Sequence, residues 1–289
     1  MLTNISILCF TACYAIALAI EIFSVNMRMP WRRGWLLITT IAGLAAHTLY
    51  LWVRGSESQA APLASPAEWL LLAAWVLGVV YLTSILYLPR APSGLFLLPL
   101  LLALVAAALV ASREPFAAER VSHFWGTLHG AVLLLATVSV CIGFSAGIMY
   151  LLQSYWLKHR RPPGGELRLP SLEWLERINT SALAVSALLV GLGFVSGLVL
   201  NAMKHRGEAD YRLWSDPVVW SLAAMLLWLV TAEVFRLVYP AARSGRKVAY
   251  LTLASFGFLV IALASLLLLE NVHSSPNAEP VAGRASGIE

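Results

Sequence analysis

The chain has 289 residues, 60% of them hydrophobic and 12% charged, and a mean hydropathy of +0.77. Soluble domains carry about twice that charged share, so the composition excludes a soluble globular protein and points to an all-α, polytopic membrane helix bundle. The net charge of +5 follows from basic residues retained on the inner side of a membrane, and nucleic acid is set aside as a partner.

Apolar runs divide the chain into about eight transmembrane spans. The first, 2–22, lacks the basic start and cleavage site of a signal peptide and is expected to remain as a helix. Glu21 is expected to reach water at its inner edge. Cys9 and Cys13 share a face at i, i+4, which in an apolar helix reads as packing. Cys141 also lies in an apolar run, and no C-x-x-C-H haem-attachment signature or zinc-type pair occurs. Arg28, Arg32 and Arg33 place the next loop inside and the N-terminus outside. The second span, 34–53, returns outward with His47 about two turns before its end. GSESQAAPLASPA is a polar outer loop, the third span, 68–88, comes back in, and LPRAPSG with Arg90 makes a tight inner turn. The fourth span, 95–111, leads out to a loop of mixed charge.

The fifth span lies within 123–161, HFWGTLHGAVLLLATVSVCIGFSAGIMYLLQSYWLKHRR. No charged residue falls between Gly130 and Leu152, a run that at about 1.5 Å per residue crosses a hydrocarbon core of roughly 30 Å. Lys158, His159, Arg160 and Arg161 mark its inner end, which leaves His129 near the outer face. In the inner segment that follows, Pro170, Ser171 and Glu173 predict a helix start. Leu172, Leu175 and Ile178 on one face predict an interfacial helix on the inner surface, ahead of the sixth span at 181–200. Gly191, Gly193 and Gly197 in that span would let neighbouring helices approach closely.

The outer loop NAMKHRGEADYRLWSDP leads to the seventh span, 218–239, with Asp216 before Pro217 as a helix start. Glu233 and Arg236, at i, i+3, read as a local ion pair, with a proton relay as the sharper alternative. The eighth span is 249–269. The transmembrane bundle thus covers 1–270, and 271–289, rich in Pro, Ser and Gly, reads as a disordered outer tail. Thirteen of the twenty Lys and Arg fall on the inner side and seven outside, which puts both termini on the outer side.

Of the six histidines, His47, His123, His129, His205 and His273 lie at or near the outer face, and only His159 lies among the inner basic residues. Imidazole in or near lipid is costly without a partner such as a metal, haem iron, a carbonyl or a proton path. A flat apolar macrocycle can lie among aromatic helices while two histidines ligate its iron, and Trp125, Trp214, Trp220 and Trp228 lie near that depth. The plainer reading makes these histidines and tryptophans residents of the headgroup belt.

HFWGTLHGAVLLLATVSVCIGFSAGIMYLLQ, LPSLEWLERIN, GLGFVSGLV, LWSDPVVWSL and NVHSS, in that order, resemble the cytochrome c assembly proteins of the CcsA and HemX type. The likeness covers most of the chain and extends to His47, Arg54 and SPAEWLLLAAW, which is similar to the family's Pro-x-x-Glu segment. It implies haem handling in c-type cytochrome maturation. By position, His129 and His273 look like the family's outer pair on haem iron, because they bracket Trp214 and Asp216, and His47 resembles its membrane-embedded haem histidine. Full members carry a W-G-x-x-W-x-W-D-P-K-E type segment. Here YRLWSDPVVW keeps Trp214, Asp216 and Pro217 and has Val218 and Val219 at the Lys-Glu positions, so the chain looks closer to the shorter HemX-type relatives.

What the resemblance implies is a multi-pass protein of a bacterial cytoplasmic (inner) membrane that binds haem near the outer face and assists its delivery. Its partners would be other cytochrome c maturation proteins and apocytochrome c. No catalytic residue is assigned, and an accessory role is expected over a complete haem lyase. The alternative is a non-catalytic partner or regulator of cytochrome assembly or haem biosynthesis that binds no haem itself and uses an inner helix at 167–177 and the basic loops as its contact. A transporter would need polar residues along its path, and mid-span charges are few.

Overall fold

A computed structural model of the chain describes residues 7–26, 29, 31–57, 63, 65–113, 120–159, 169–204, 217–239 and 245–268. Among them the regular structure is wholly helical: α1 Ile7–Asn26, α2 Arg32–Glu57, α3 Pro66–Tyr87, α4 Gly94–Val110, α5 Arg120–Lys158, α6 Leu172–Lys204, α7 Pro217–Val238 and α8 Arg246–Leu268. Seven of these are long and apolar enough to cross a membrane, and α4 is apolar throughout but shorter, at 17 residues. Its length of about 26 Å is just under the hydrocarbon thickness. The molecule is a polytopic helical membrane bundle.

Successive helices run antiparallel. Along α2 and α3, Trp75 Nε1 donates to Thr48 Oγ1 (2.9 Å) while Arg54 Nε donates to Glu68 Oε1 (3.1 Å), one sequence rising as the other falls. Tyr14 opposite His47 and Glu21 opposite Arg32 do the same for α1 and α2. Helices α1 to α4 pack as one group and α5 to α8 as another, with α5 touching α3 and α4 to join them. One apolar core runs through both groups, from Phe10, Leu77 and Leu101 to Leu183, Met225 and Leu229.

The bundle's two ends differ in charge. Among the described residues, Arg32, Arg33, Arg90, Lys158, Arg177, Arg236, Arg246 and Lys247 lie at the end where α2 starts and α3 stops, whereas Arg54 and Arg113 lie at the other. This excess marks the first end as the inner one.

At that end the structure corrects the expectation for Glu21. Its side chain is 1% exposed and paired with Arg32, and Tyr81 Oη donates to Glu21 Oε1 at 3.0 Å. Arg32 also donates to Ser24 Oγ (3.0 Å) and to the carbonyls of Pro89 (3.0 Å) and Ala91 (3.3 Å). The carboxylate does not reach water because the α3–α4 turn closes over it. A Cβ at Gly94 would lie 2.7 Å from Glu21 Cγ, which is why the turn can come so close. A charge that cannot reach water is retained only when paired and hydrogen-bonded, and here both conditions are met.

The expected interfacial helix is also corrected. The segment from Leu172 is the first part of α6, which continues unbroken for 33 residues. Leu175 is fully buried in a cluster with Met149, Tyr150, Leu169 and Ala249, so its apolar face meets the bundle and not a lipid surface. The predicted start is present: the Trp174 N–H lies 3.3 Å from Ser171 Oγ, an N-cap contact.

Asn179, fully buried, ties this end of α6 to its neighbours. With its amide oriented to satisfy them, Nδ2 donates to Thr252 Oγ1 (2.7 Å) and the Gly143 carbonyl (3.2 Å), and Oδ1 accepts the Ala249 N–H (3.2 Å). Ala249 stands in the first turn of α8, where backbone N–H groups have no partner within the helix. One amide thereby caps α8 and joins α5, α6 and α8.

Candidate functional site

Helix α5 is 39 residues long, or about 58 Å, and only about half of that length can lie in hydrocarbon. His129 sits nine residues from its outer start, about 14 Å along the helix. It faces α6 across a groove that small residues open. A Cβ at Gly197 would lie 2.9 Å from His129 Cε1, and one at Gly193 would collide with Leu133, so glycine is what lets the ring lie flat on α6. Gly191, expected to act with them, instead faces Leu226 of α7 at an ordinary 3.6 Å.

Within this groove His129 Nδ1 lies 2.9 Å from the Gly193 carbonyl oxygen and 3.1 Å from Ser196 Oγ. A carbonyl only accepts, so Nδ1 carries the proton, and in the neutral ring Nε2 then holds the lone pair. Ser196 Oγ in turn donates to the same carbonyl at 2.8 Å. Metal-bound histidines are commonly arranged this way, with the second ring nitrogen donating to a backbone carbonyl.

Around His129 the outer end is aromatic. Trp125, half-buried, lies one turn above it on α5. Trp69 of α3 packs on the residue beside it: a Cβ at Gly130 would come within 2.6 Å of Trp69 Cε2. Its neighbour Glu68 holds Arg54 of α2. Helices α2, α3, α5 and α6 are therefore joined at one level through Arg54, Glu68, Trp69, Gly130, His129 and Gly193. Trp69 was not singled out from sequence, although the adjacency of His129 and Gly130 is a signal that a bulky ring could use that face.

His47 occupies a different setting. It is fully buried, its ring lies parallel to Phe10 at 4.0 Å, and Tyr14 Oη lies 3.5 Å from Nδ1. Tyr50 closes on Phe10 from α2. Among the described residues Nε2 has no hydrogen-bond partner. A buried nitrogen of that kind costs about 1–3 kcal/mol. The Tyr14 side chain reaches the site between Gly43 and Gly78, where added Cβ atoms would stand 3.0 and 3.1 Å from it. Thus His47 belongs to a packed group on α1 and α2, and His129 to the α5–α6 groove.

The remaining sequence-predicted residues divide in two. His273, Trp214 and Asp216 lie outside the described residues, as do the side chains of His123 and His205. Trp228 lies half-way along α7, stacked on Phe258 at 5.5 Å with Nε1 donating to Ser255 Oγ (3.2 Å), so it serves the α7–α8 contact. Trp220 is exposed on the outer part of α7. Arg236 and Glu233 form the expected local pair, with Arg236 Nε donating to Glu233 Oε2 at 3.0 Å.

Among the described residues no three His, Cys, Asp or Glu side chains gather as a metal site. Haem differs from a bare ion in needing only one or two axial ligands on the protein. His129 fits that demand through its oriented Nε2 and its outer, aromatic surroundings. His47 fits it in chemistry, through a nitrogen unpartnered among the described residues, but the side chain is fully buried in the packing of α1 and α2, so a macrocycle reaches that nitrogen only if this packing opens. Compared with family models, with curated proteins and with solved structures, the chain matches none.

Proposed function

We propose that this membrane protein binds haem near its outer face through His129, with His273 as the second axial ligand, and assists haem delivery in c-type cytochrome biogenesis in a bacterial cytoplasmic membrane. The observation that carries the reading is the contact between His129 Nδ1 and the Gly193 carbonyl. It orients the ring and leaves Nε2 as the basic nitrogen, on the part of α5 where Trp125 lies one turn above and Trp69 packs on Gly130. The ordered motifs that resemble the cytochrome c assembly family support the same reading, and they add Trp214 and Asp216 to the site.

Bound haem would supply a ferric or ferrous iron centre, which His129 and His273 would hold. The chain's residues do the rest. Neutral imidazole ligates iron without a covalent bond, so what is held can be passed on. The Gly193 carbonyl keeps the ring from turning, as a carbonyl behind a ligating histidine does. His47, enclosed by Phe10 and Tyr14, is the place for a second, membrane-embedded ligand once α1 yields. Thioether formation is left to a partner that holds the apocytochrome.

The rival reading is a partner or regulator of cytochrome assembly or haem biosynthesis that binds no haem. Its expected contact, an inner-surface helix, is weakened by the burial of Leu175 within the bundle. The c-type cytochrome content of cells carrying His129→Ala or His273→Ala separates the two. Loss of mature cytochrome with normal levels of the membrane protein supports haem delivery, and unchanged cytochrome content supports the rival.

A further inference from the structure

A second site lies at the opposite end of the molecule, where the α3–α4 turn meets the start of the α6 segment. Tyr87, Leu88, Pro89, Arg90, Ala91 and Pro170 line an open concavity of about 350 Å³, a size in the range of small-ligand sites. Helix α3 has 22 residues, about 33 Å. Its Tyr87 end therefore emerges where hydrocarbon gives way to headgroups. Trp31, Trp35 and Tyr87 are 75%, 55% and 82% exposed at this end, the aromatic belt expected at that depth.

The arginines here do different work. Arg32 is consumed by Glu21 and by the carbonyls of Pro89 and Ala91. Those two carbonyls flank Arg90, so Arg32 offsets the negative dipoles that would otherwise oppose an anion beside it. Arg90 is exposed and has no carboxylate partner among the described residues. Arg33, also without one, lies against the Leu86 carbonyl at 3.4 Å and brings a second guanidinium to the same helix end. Retention of positive charge on the inner side accounts for the sign of this region, but not for a concavity with an unpaired guanidinium on its wall.

We propose that this concavity holds the headgroup of an anionic phospholipid from the inner leaflet, with Arg90 on the phosphate, Tyr87 against the glycerol and upper acyl region, and Arg33 strengthening the local positive field. Guanidinium suits phosphate through its planar set of donors. Basic pockets between helices on the cytoplasmic side are the general setting for such lipids. The inference is independent of haem.

The test is the thermal unfolding of the detergent-purified full chain, titrated with phosphatidylglycerol, phosphatidylcholine or inorganic phosphate. Phosphatidylglycerol should raise the midpoint saturably and phosphatidylcholine should not. Arg90→Gln should weaken the apparent affinity about five-fold, the effect of roughly one surface charge on an anionic lipid. Arg33→Gln should weaken it less, and Arg113→Gln at the outer end should leave it unchanged. Equal stabilisation by phosphatidylcholine, or an unaltered response in Arg90→Gln, would overturn the proposal. Equal stabilisation by inorganic phosphate would make the concavity a free-anion site and overturn the assignment to lipid.

Discussion

The Nδ1 atom of His129 lies 2.9 Å from the carbonyl oxygen of Gly193, and Gly197, one turn further along α6, leaves the room that the ring occupies. A histidine on one membrane helix is thus oriented by the backbone of the next. The contact predicts that, at a pH where the ring is neutral, His129 populates the Nδ1–H tautomer. Nitrogen-15 spectra of histidine-labelled protein in detergent read this directly. Gly197→Val, whose new side chain meets the ring, should give a mixture of tautomers, whereas Ser196→Ala should not, since the carbonyl remains.

Glu21 and Arg32 form the charged pair that ties α1, α2 and the α3–α4 turn together. Arg32→Ala leaves a buried carboxylate without its counter-charge, a change that costs about 3–5 kcal/mol. Tyr81→Phe removes one hydrogen bond to that carboxylate and should cost about 1.5–3 kcal/mol. Denaturant unfolding in bicelles would show this order. Arg32→Ala as stable as the parent chain would mean that the turn is held by packing alone.

Helix number, order and direction were legible in the sequence because each span is a long uncharged run between short polar connections. The start of α6 at Ser171 and the ion pair in α7 were legible too, since each depends on residues a few positions apart, and the glycine spacing marked α6 as open to close approach at Gly193 and Gly197 without naming Leu133 and His129 as what meets them. Glu21 and Leu175 were misread for one physical reason. Both stand at helix ends, where local sequence cannot tell lipid or water from another helix, and in both cases a distant segment covers them. Asn179 and Trp69 went unnoticed because their partners lie far away in the chain: Asn179 meets α5 and α8, and Trp69 meets Gly130. The roles of His273, Trp214 and Asp216 rest on the family resemblance, and their positions lie outside the described residues.

Asn179 is the polar joint between α5, α6 and α8. Asn179→Leu keeps the branched four-atom side chain, in a bulkier form, but strands the Ala249 N–H, with Thr252 Oγ1 losing a donor as well. Each buried group left unsatisfied costs about 1–3 kcal/mol, so the variant should unfold at distinctly lower denaturant than the parent. An unchanged midpoint would show that water or rearrangement replaces the amide.

His47 stacks on Phe10 with Nε2 unpartnered among the described residues. In the ligand-free protein, His47→Phe should lie near neutral, since it removes an unsatisfied buried nitrogen and keeps the stack but leaves the buried Tyr14 Oη without Nδ1, two opposing effects of about 1–3 kcal/mol each. His47→Ala opens a cavity beside Phe10 and should destabilise by about 3–5 kcal/mol, as for other large aromatic truncations. If His47→Phe instead destabilises strongly in unfolding measurements on the haem-free chain, the ring nitrogen makes an interaction that packing alone does not explain.

The central claim is that His129 and His273 ligate haem iron. Its most direct measurement is the absorption spectrum of the detergent-purified protein, oxidised and reduced, after expression with ample haem, for the parent chain and the His129→Ala, His273→Ala double variant. The account predicts a Soret band in the parent chain that collapses in the double variant while the fold is retained. A parent chain without a Soret band, or a band undiminished in the double variant, would contradict it.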